Sequence, residues 1–233
     1  MDYQTLNGVE SAHVAALQSA FLNRVFGWMF VGLTLSGVVA WQFAQHAQSV
    51  LAKYPGLMIG VIVATFILVI LLSAGINKIS SAAATVAFLV YAGLNGVMLS
   101  SIFLAYSLGT VANAFAVAAA TFGGMGLYGY VTKRDLSGIG SLCFMALFGI
   151  IIASVINLFW YNSTADFVIS ILGVLIFVGL TAYDVQKMRL ISANAGALDE
   201  ETSKKYAIIG ALQLYLDFIN IFLYLLRLFG RRR

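Results

Sequence analysis

Apolar residues in this chain run in long, nearly unbroken stretches divided by short polar ones, with no sustained alternation of the kind that marks half-buried strands. A bilayer core takes about 20 predominantly apolar residues per helix. Seven stretches qualify, at about 25 to 45, 57 to 73, 80 to 106, 111 to 131, 139 to 160, 166 to 186 and 207 to 229. The pattern predicts an all-α protein of seven transmembrane helices. A mixed leader, residues 1–23, precedes one compact transmembrane domain over 24–233. The leader lacks a basic start and a small-residue cleavage site, so no removable signal peptide is expected. The sole proline, Pro55, stands just ahead of the second span, where a missing amide donor is harmless.

Within the last span the pattern changes. Gln213, Asp217, Asn220 and Tyr224 recur at spacings of four, three and four, so they share one face of a helix that is otherwise Leu, Ile and Phe. A polar stripe of this kind fits against other helices better than against lipid. The longest polar connection, Lys187 to Tyr206, carries a helix stop at Asn194 and Gly196, then an N-cap at Asp199 with Glu200 and Glu201 in the first turn. Both flanking helices are expected to extend beyond the membrane. Small residues are dense in the spans: Gly93, Gly96, Gly123, Gly124, Gly126, Gly129 and the run Ala82 to Ala84 suit close helix packing, with a bend at Gly123-Gly124 as the lesser alternative.

Composition agrees with a membrane protein: 61% of the 233 residues are hydrophobic and 9% charged. The net charge of +4 does not point to nucleic acid, because the basic residues are scattered among connections and a terminal Arg231-Arg232-Arg233 run. With the N-terminus in the cytoplasm, Arg24, Lys78, Lys133, Arg134, Lys187, Arg189, Lys204 and Lys205 fall inside and Lys53 outside. That split predicts a cytoplasmic N-terminus. Seven crossings then put Arg227 and the terminal arginines outside, whereas six crossings and a returning segment keep them inside, so the C-terminal side stays open. Cys143 has no partner in the chain and reads as a small buried hydrophobe.

The candidate chemistry is a pair of carboxylates: Asp217 in the seventh span, and Asp184 near the cytoplasmic end of the sixth, with Thr181 and Tyr183 close by and an ion pair with Lys187, three residues on, as its alternative reading. An ionised carboxylate near the bilayer centre costs roughly 2.5 to 3.5 kcal/mol, so such a residue ordinarily faces protein, pairs, or marks an ion or proton path. A simple hairpin leaves the two about 9 Å apart along the helix axes at 1.5 Å per residue, a gap that tilt or an irregular turn closes. Two carboxylates in contact in a low-dielectric site cannot both ionise cheaply and titrate as a unit. The shared proton holds the helices together; its loss leaves like charges that part them or recruit a cation, a switch with a pH input. Their oxygens, with Asn220 and water, suit a weak, transient Ca²⁺ site rather than a dedicated cage. His13 and His46 are solitary, with His46 a minor candidate for an accessory pH sensor.

The segments GLTAYDVQKMR and LYLDFINIFLYLLRLFG closely resemble the C-terminal signature of the Bax inhibitor-1 (transmembrane BAX inhibitor motif) family in its bacterial branch. The seven-span layout fits that family along essentially the whole chain. The resemblance implies six helices around a central C-terminal helix, a bacterial inner-membrane location, and a pH-sensitive Ca²⁺ leak with Ca²⁺ as permeant ion and no cofactor. It sets Asp184 and Asp217 as the di-aspartyl pH sensor and Lys78, in SAGINKIS, as the candidate latch.

Another class is a non-conducting regulator that binds a membrane protease or stress-response complex, with the stripe purely structural. Intramembrane aspartyl proteases also place Tyr-Asp on one span and Asp on the next. They carry Gly-x-Gly-Asp at the second position, where this chain has Leu214-Tyr215-Leu216-Asp217, so no enzyme is expected.

Overall fold

A computed structural model describes residues 3–193 and 198–230, with side-chain surroundings from residue 16 onward except at residue 77. Seven α-helices follow one another: α1 (Tyr3–Lys53), α2 (Leu57–Ala74), α3 (Ser81–Ala105), α4 (Leu108–Val131), α5 (Ser137–Phe159), α6 (Ser163–Ala193) and α7 (Glu200–Phe229), with a 3₁₀ turn over Ile76–Lys78 between α2 and α3. All seven are long and apolar enough to cross a membrane. No strand occurs among the described residues.

The helices outrun the apolar stretches where local sequence lets them. α1 continues back through the expected leader to Tyr3, because Ala12, Ala15, Ala16, Leu17 and Gln18 are good helix formers and no proline interrupts them. Its 51 residues measure about 76 Å, well beyond a ~30 Å hydrocarbon core. α6 and α7 extend past the membrane as expected. Asp199 caps α7, its carboxylate accepting from the Thr202 amide at 2.9 Å. Glu200 pairs with Lys204 at 2.6 Å on the same exposed turn. The expected stop at Asn194 and Gly196, and the arginine run 231–233, lie outside the described residues. Two other helix starts are capped by short polar side chains: Ser107 accepts from the Thr110 amide at the start of α4, and Asn162 from the Thr164 and Ala165 amides at the start of α6.

The chain divides into two compact units, the first from Met1–Ser101 with Lys187–Leu212, the second from Ile102–Gln186 with Gln213–Arg233, so that α3, α6 and α7 contribute to both. In the first, Ser36 of α1 donates to the Ala92 carbonyl of α3 at 2.7 Å, and a Cβ on Gly96 would stand 2.7 Å from the Ser36 carbonyl oxygen. Glu201 accepts from the Ser81 amide and hydroxyl at 2.5 and 2.6 Å, so the first turn of α7 caps the start of α3. Those two bonds hold the Glu201 carboxyl below its ordinary 4.5.

In the second unit three helices meet α6. Gly129 of α4 lies against the Ala182 backbone, Gly140 of α5 against the Tyr183 ring, and Gly173 of α6 itself under the Tyr224 ring of α7. The packing reading therefore holds for Gly96 and Gly129, and for the buried Gly126, where a Cβ would touch Val185 at 3.7 Å. A Cβ at Gly93, Gly123 or Gly124 would meet nothing within 4 Å, and α4 runs as one helix through Gly123-Gly124. On its other side α7 presents Phe218 and Phe222 to Phe115 of α4, with ring centres 5.3 and 6.1 Å apart. Of the seven helices α7 is the most enclosed: 67% of its most apolar stretch is buried, against 11% for α2.

Candidate functional site

The paired segments of α6 and α7 in the second unit bring the two aspartates together. Asp184 is 5% and Asp217 4% exposed. The Asp217 carboxyl is hydrogen-bonded to the Thr181 hydroxyl and in electrostatic contact with Asp184. Thr181 and Asp184 are three residues apart, so they share a face of α6, and Asp184 lies about one turn, ~4.5 Å, along the axis from the level of Asp217. The Tyr224 ring seated on Gly173 sets the same antiparallel register toward the other end of α6. The axial gap is thus about half that of a simple hairpin, and the carboxyls interact.

The hydrogens at this point are few. Thr181 donates to the Phe177 carbonyl at 2.7 Å, which commits its one proton within the helix. The contact with Asp217 then needs either that proton to be shared or a proton on the carboxyl. The other Asp217 oxygen, Oδ2, is fully enclosed and meets no donor among the described residues; Gln213 Oε1, one turn back on the stripe, is in the same condition. Enclosed oxygen acceptors without donors are the positions that a proton, a water molecule or a hard cation satisfies.

The rest of the stripe is less uniform than its spacing suggests. Asn220 is half-buried, and its amide donates back to the Leu216 carbonyl at 2.8 Å, so part of its capacity is spent inside α7. Tyr224 packs beside Phe177, with ring centres 6.1 Å apart, and under the guanidinium of Arg227 at 5.6 Å. Arg227 itself stands 3.6 Å from Asp166 in the first turn of α6, and Gly230 lies against Tyr106 just after α3. In the second unit the end of α7 therefore joins the α5–α6 end, away from Lys133 and Arg134 between α4 and α5. α7 is a single helix that runs through, not a segment that enters and returns.

Gln186, two residues after Asp184, escaped the sequence reading. Its Oε1 accepts from the Leu136 amide at 2.9 Å and its Nε2 donates to the Arg134 carbonyl at 2.8 Å, tying this end of α6 to the α4–α5 connection. Thr181 is legible in the sequence only as a neighbour of Asp184, and Gly173 has no visible role in the site. A glutamine in a span is a signal of the same kind as the aspartates; a glycine among many others is not.

Lys78 sits exposed on the 3₁₀ turn of the first unit and makes no ion pair among the described residues. His46 is exposed, with Nδ1 3.3 Å from the Gln42 carbonyl of its own helix; the side chain of His13 lies outside the described residues. Cys143 is half-buried near Gly179. No cluster of three or more His, Cys, Asp or Glu occurs among the described residues, so a cation at the pair would rely on two carboxylates and neutral oxygens.

Comparison with known proteins identifies the lineage. The family model "Inhibitor of apoptosis-promoting Bax1" matches residues 18–233. The chain belongs to the Bax inhibitor-1 family. It is 49% identical over 222 residues to the inner membrane protein YbhL of Escherichia coli K12, covering 94% of each chain. An uncharacterized protein of Borreliella burgdorferi is 45% identical over 219 residues, 93% of this chain and 94% of its own. An uncharacterized membrane protein of Streptococcus pyogenes serotype M3 is 39% identical over 215 residues, 91% and 92% of the two chains. Like other Bax inhibitor-1 proteins, this chain is an integral membrane protein, and the Asp184 and Asp217 motifs lie within the matched region.

Proposed function

We propose that this Bax inhibitor-1 protein is a proton-regulated cation leak of the bacterial inner membrane, with Ca²⁺ as permeant ion, the Asp184–Asp217 pair as sensor and α7 as moving element. The observation that carries the reading is the enclosed Asp217 carboxyl, one oxygen on Thr181, the other without a donor, and Asp184 one turn away. With one proton between them the carboxyls hold α6 and α7 in register. Without it two like charges face each other at low dielectric, and the helices part or take up a cation. Gln213 Oε1 and the Asn220 carbonyl oxygen lie along the same stripe and supply neutral oxygens to an ion in transit. The inner-membrane location follows the name of the YbhL relative, and a cytoplasmic N-terminus follows the distribution of basic residues. The pair has no catalytic role in this account.

Ca²⁺ entry into dye-loaded proteoliposomes across about pH 6 to 8 tests the reading. The expected result is a protein-dependent flux that changes with pH in the wild type and loses that dependence in Asp217→Asn. A trace equal to that of empty liposomes, together with recovery of a stoichiometric membrane partner such as a protease by crosslinking, would instead identify a non-conducting regulator.

A further inference from the structure

Within the second unit, α5 and α6 border an open groove of about 910 Å³, at the upper end of the range for small-molecule sites. Its α5 wall contains Ala146, Gly149 and Ala153, at spacings of three and four, a strip of small side chains between the bulkier Leu142, Ile150 and Ile156. A small-residue face ordinarily lets two membrane helices close on each other. Here the α6 wall, which includes Leu172, leaves the space open.

The lining is apolar along its length and polar at one end. Asn157 is 9% exposed; its side-chain oxygen accepts from the Asn162 amide at 2.9 Å, and its own NH₂ group has no hydrogen-bond partner among the described residues. Trp160, 76% exposed, stands beside it where a chain leaving the membrane usually carries an interfacial aromatic. No charged side chain lines the cavity. At the opposite end is Cys143, beside Gly179 and within electrostatic reach of Asp217.

Both walls belong to helices apolar enough to cross a membrane, and Leu142, Ile156, Leu172 and Leu175 of the lining are exposed, so in a bilayer the groove meets hydrocarbon. The α6 wall extends from Thr164 to Ile176, about 18 Å at 1.5 Å per residue, which is close to the depth of one leaflet of a ~30 Å core. An apolar slot of one leaflet's depth, with a neutral donor at its interfacial end, has the form of a lipid tail and its ester. We propose that the α5–α6 groove binds one acyl chain of a membrane phospholipid, with its ester carbonyl on the Asn157 amide and its methyl end at Cys143.

Native mass spectrometry of the full chain, released from phosphatidylglycerol nanodiscs through detergent exchange, tests it. The wild type is expected to retain one phospholipid per chain. Ala153→Phe fills the groove, and Asn157→Asp keeps an oxygen for the Asn162 amide while removing the donor; each is expected to lower retention at least about tenfold. Phe148→Ala, an exposed position outside the lining, is expected to leave it unchanged. N-ethylmaleimide should modify Cys143, the chain's one thiol, more slowly in the lipid-loaded protein than after delipidation. Absence of an adduct in the wild type, equal retention in both groove variants, a free fatty acid as the sole adduct, or Cys143 labelling indifferent to lipid would overturn the proposal.

Discussion

α2 and α7 invert the rule by which soluble helices are sorted. α2 is the most apolar of the seven helices and is 11% buried; α7 is far less apolar and is 67% buried. In water the apolar helix would be the hidden one. In a bilayer the lipid tails are as good a solvent for Ile and Leu as any protein neighbour, so apolar character no longer drives a helix inward. The polar stripe does, because Gln213, Asp217 and Asn220 exposed to hydrocarbon would each cost several kcal/mol unless partnered. α7 is enclosed for the same residues that make it a candidate for function, whereas α2 has nothing to hide.

Truncations of the same residue type in the two helices should expose this contrast most strongly. Ile221→Ala removes a side chain with no exposure on α7 and is expected to cost about 2–5 kcal/mol, whereas Ile70→Ala, 62% exposed on α2, should cost under ~0.5 kcal/mol. Thermal unfolding in micelles measures both, and equal losses would break the contrast. Next in size is a comparison within α4. Gly129→Ala pushes a methyl group into the Ala182 backbone and should cost about 1–3 kcal/mol, while Gly123→Ala, in open space, should be neutral or stabilising. Gln186→Ala leaves the Leu136 amide and the Arg134 carbonyl without their side-chain partner, for about 1–2 kcal/mol by the same assay.

The smallest effect lies outside the membrane. Because its bonds to Ser81 keep the Glu201 carboxyl below 4.5, its contribution is complete above that pH and is lost as pH falls through the depressed folded value. Glu201→Gln should therefore unfold at slightly lower temperature than the wild type at neutral pH, and the two curves should converge in acid. A gap that persists in acid would assign the effect to packing instead.

The seven spans were legible because lipid solvation demands long apolar runs, and each run coincides with one helix. The reach of α1 was not, since Tyr3 to Arg24 is mixed in character and its helicity rests on propensity, which leaves no trace in an apolar pattern. The α7 stripe was visible from spacing alone. Its partners were not equally visible: Asp184 announced itself as a charge in a span, but Thr181 and Gly173 resemble dozens of ordinary positions and gain meaning through the α6–α7 register. That register depends on the turn, whose length is poorly encoded, and so the simple hairpin overstated the axial offset between the two aspartates by about twofold.

The central claim is that Asp184 and Asp217 act as one titrating unit, and a double-mutant cycle on the pH midpoint of Ca²⁺ flux tests it most directly. Wild type, Asp184→Asn, Asp217→Asn and the double variant would be compared in the same proteoliposomes. A shared proton predicts that either single substitution abolishes the pH dependence and that the second adds nothing. Independent shifts that sum in the double variant, or a midpoint untouched by both, would contradict it.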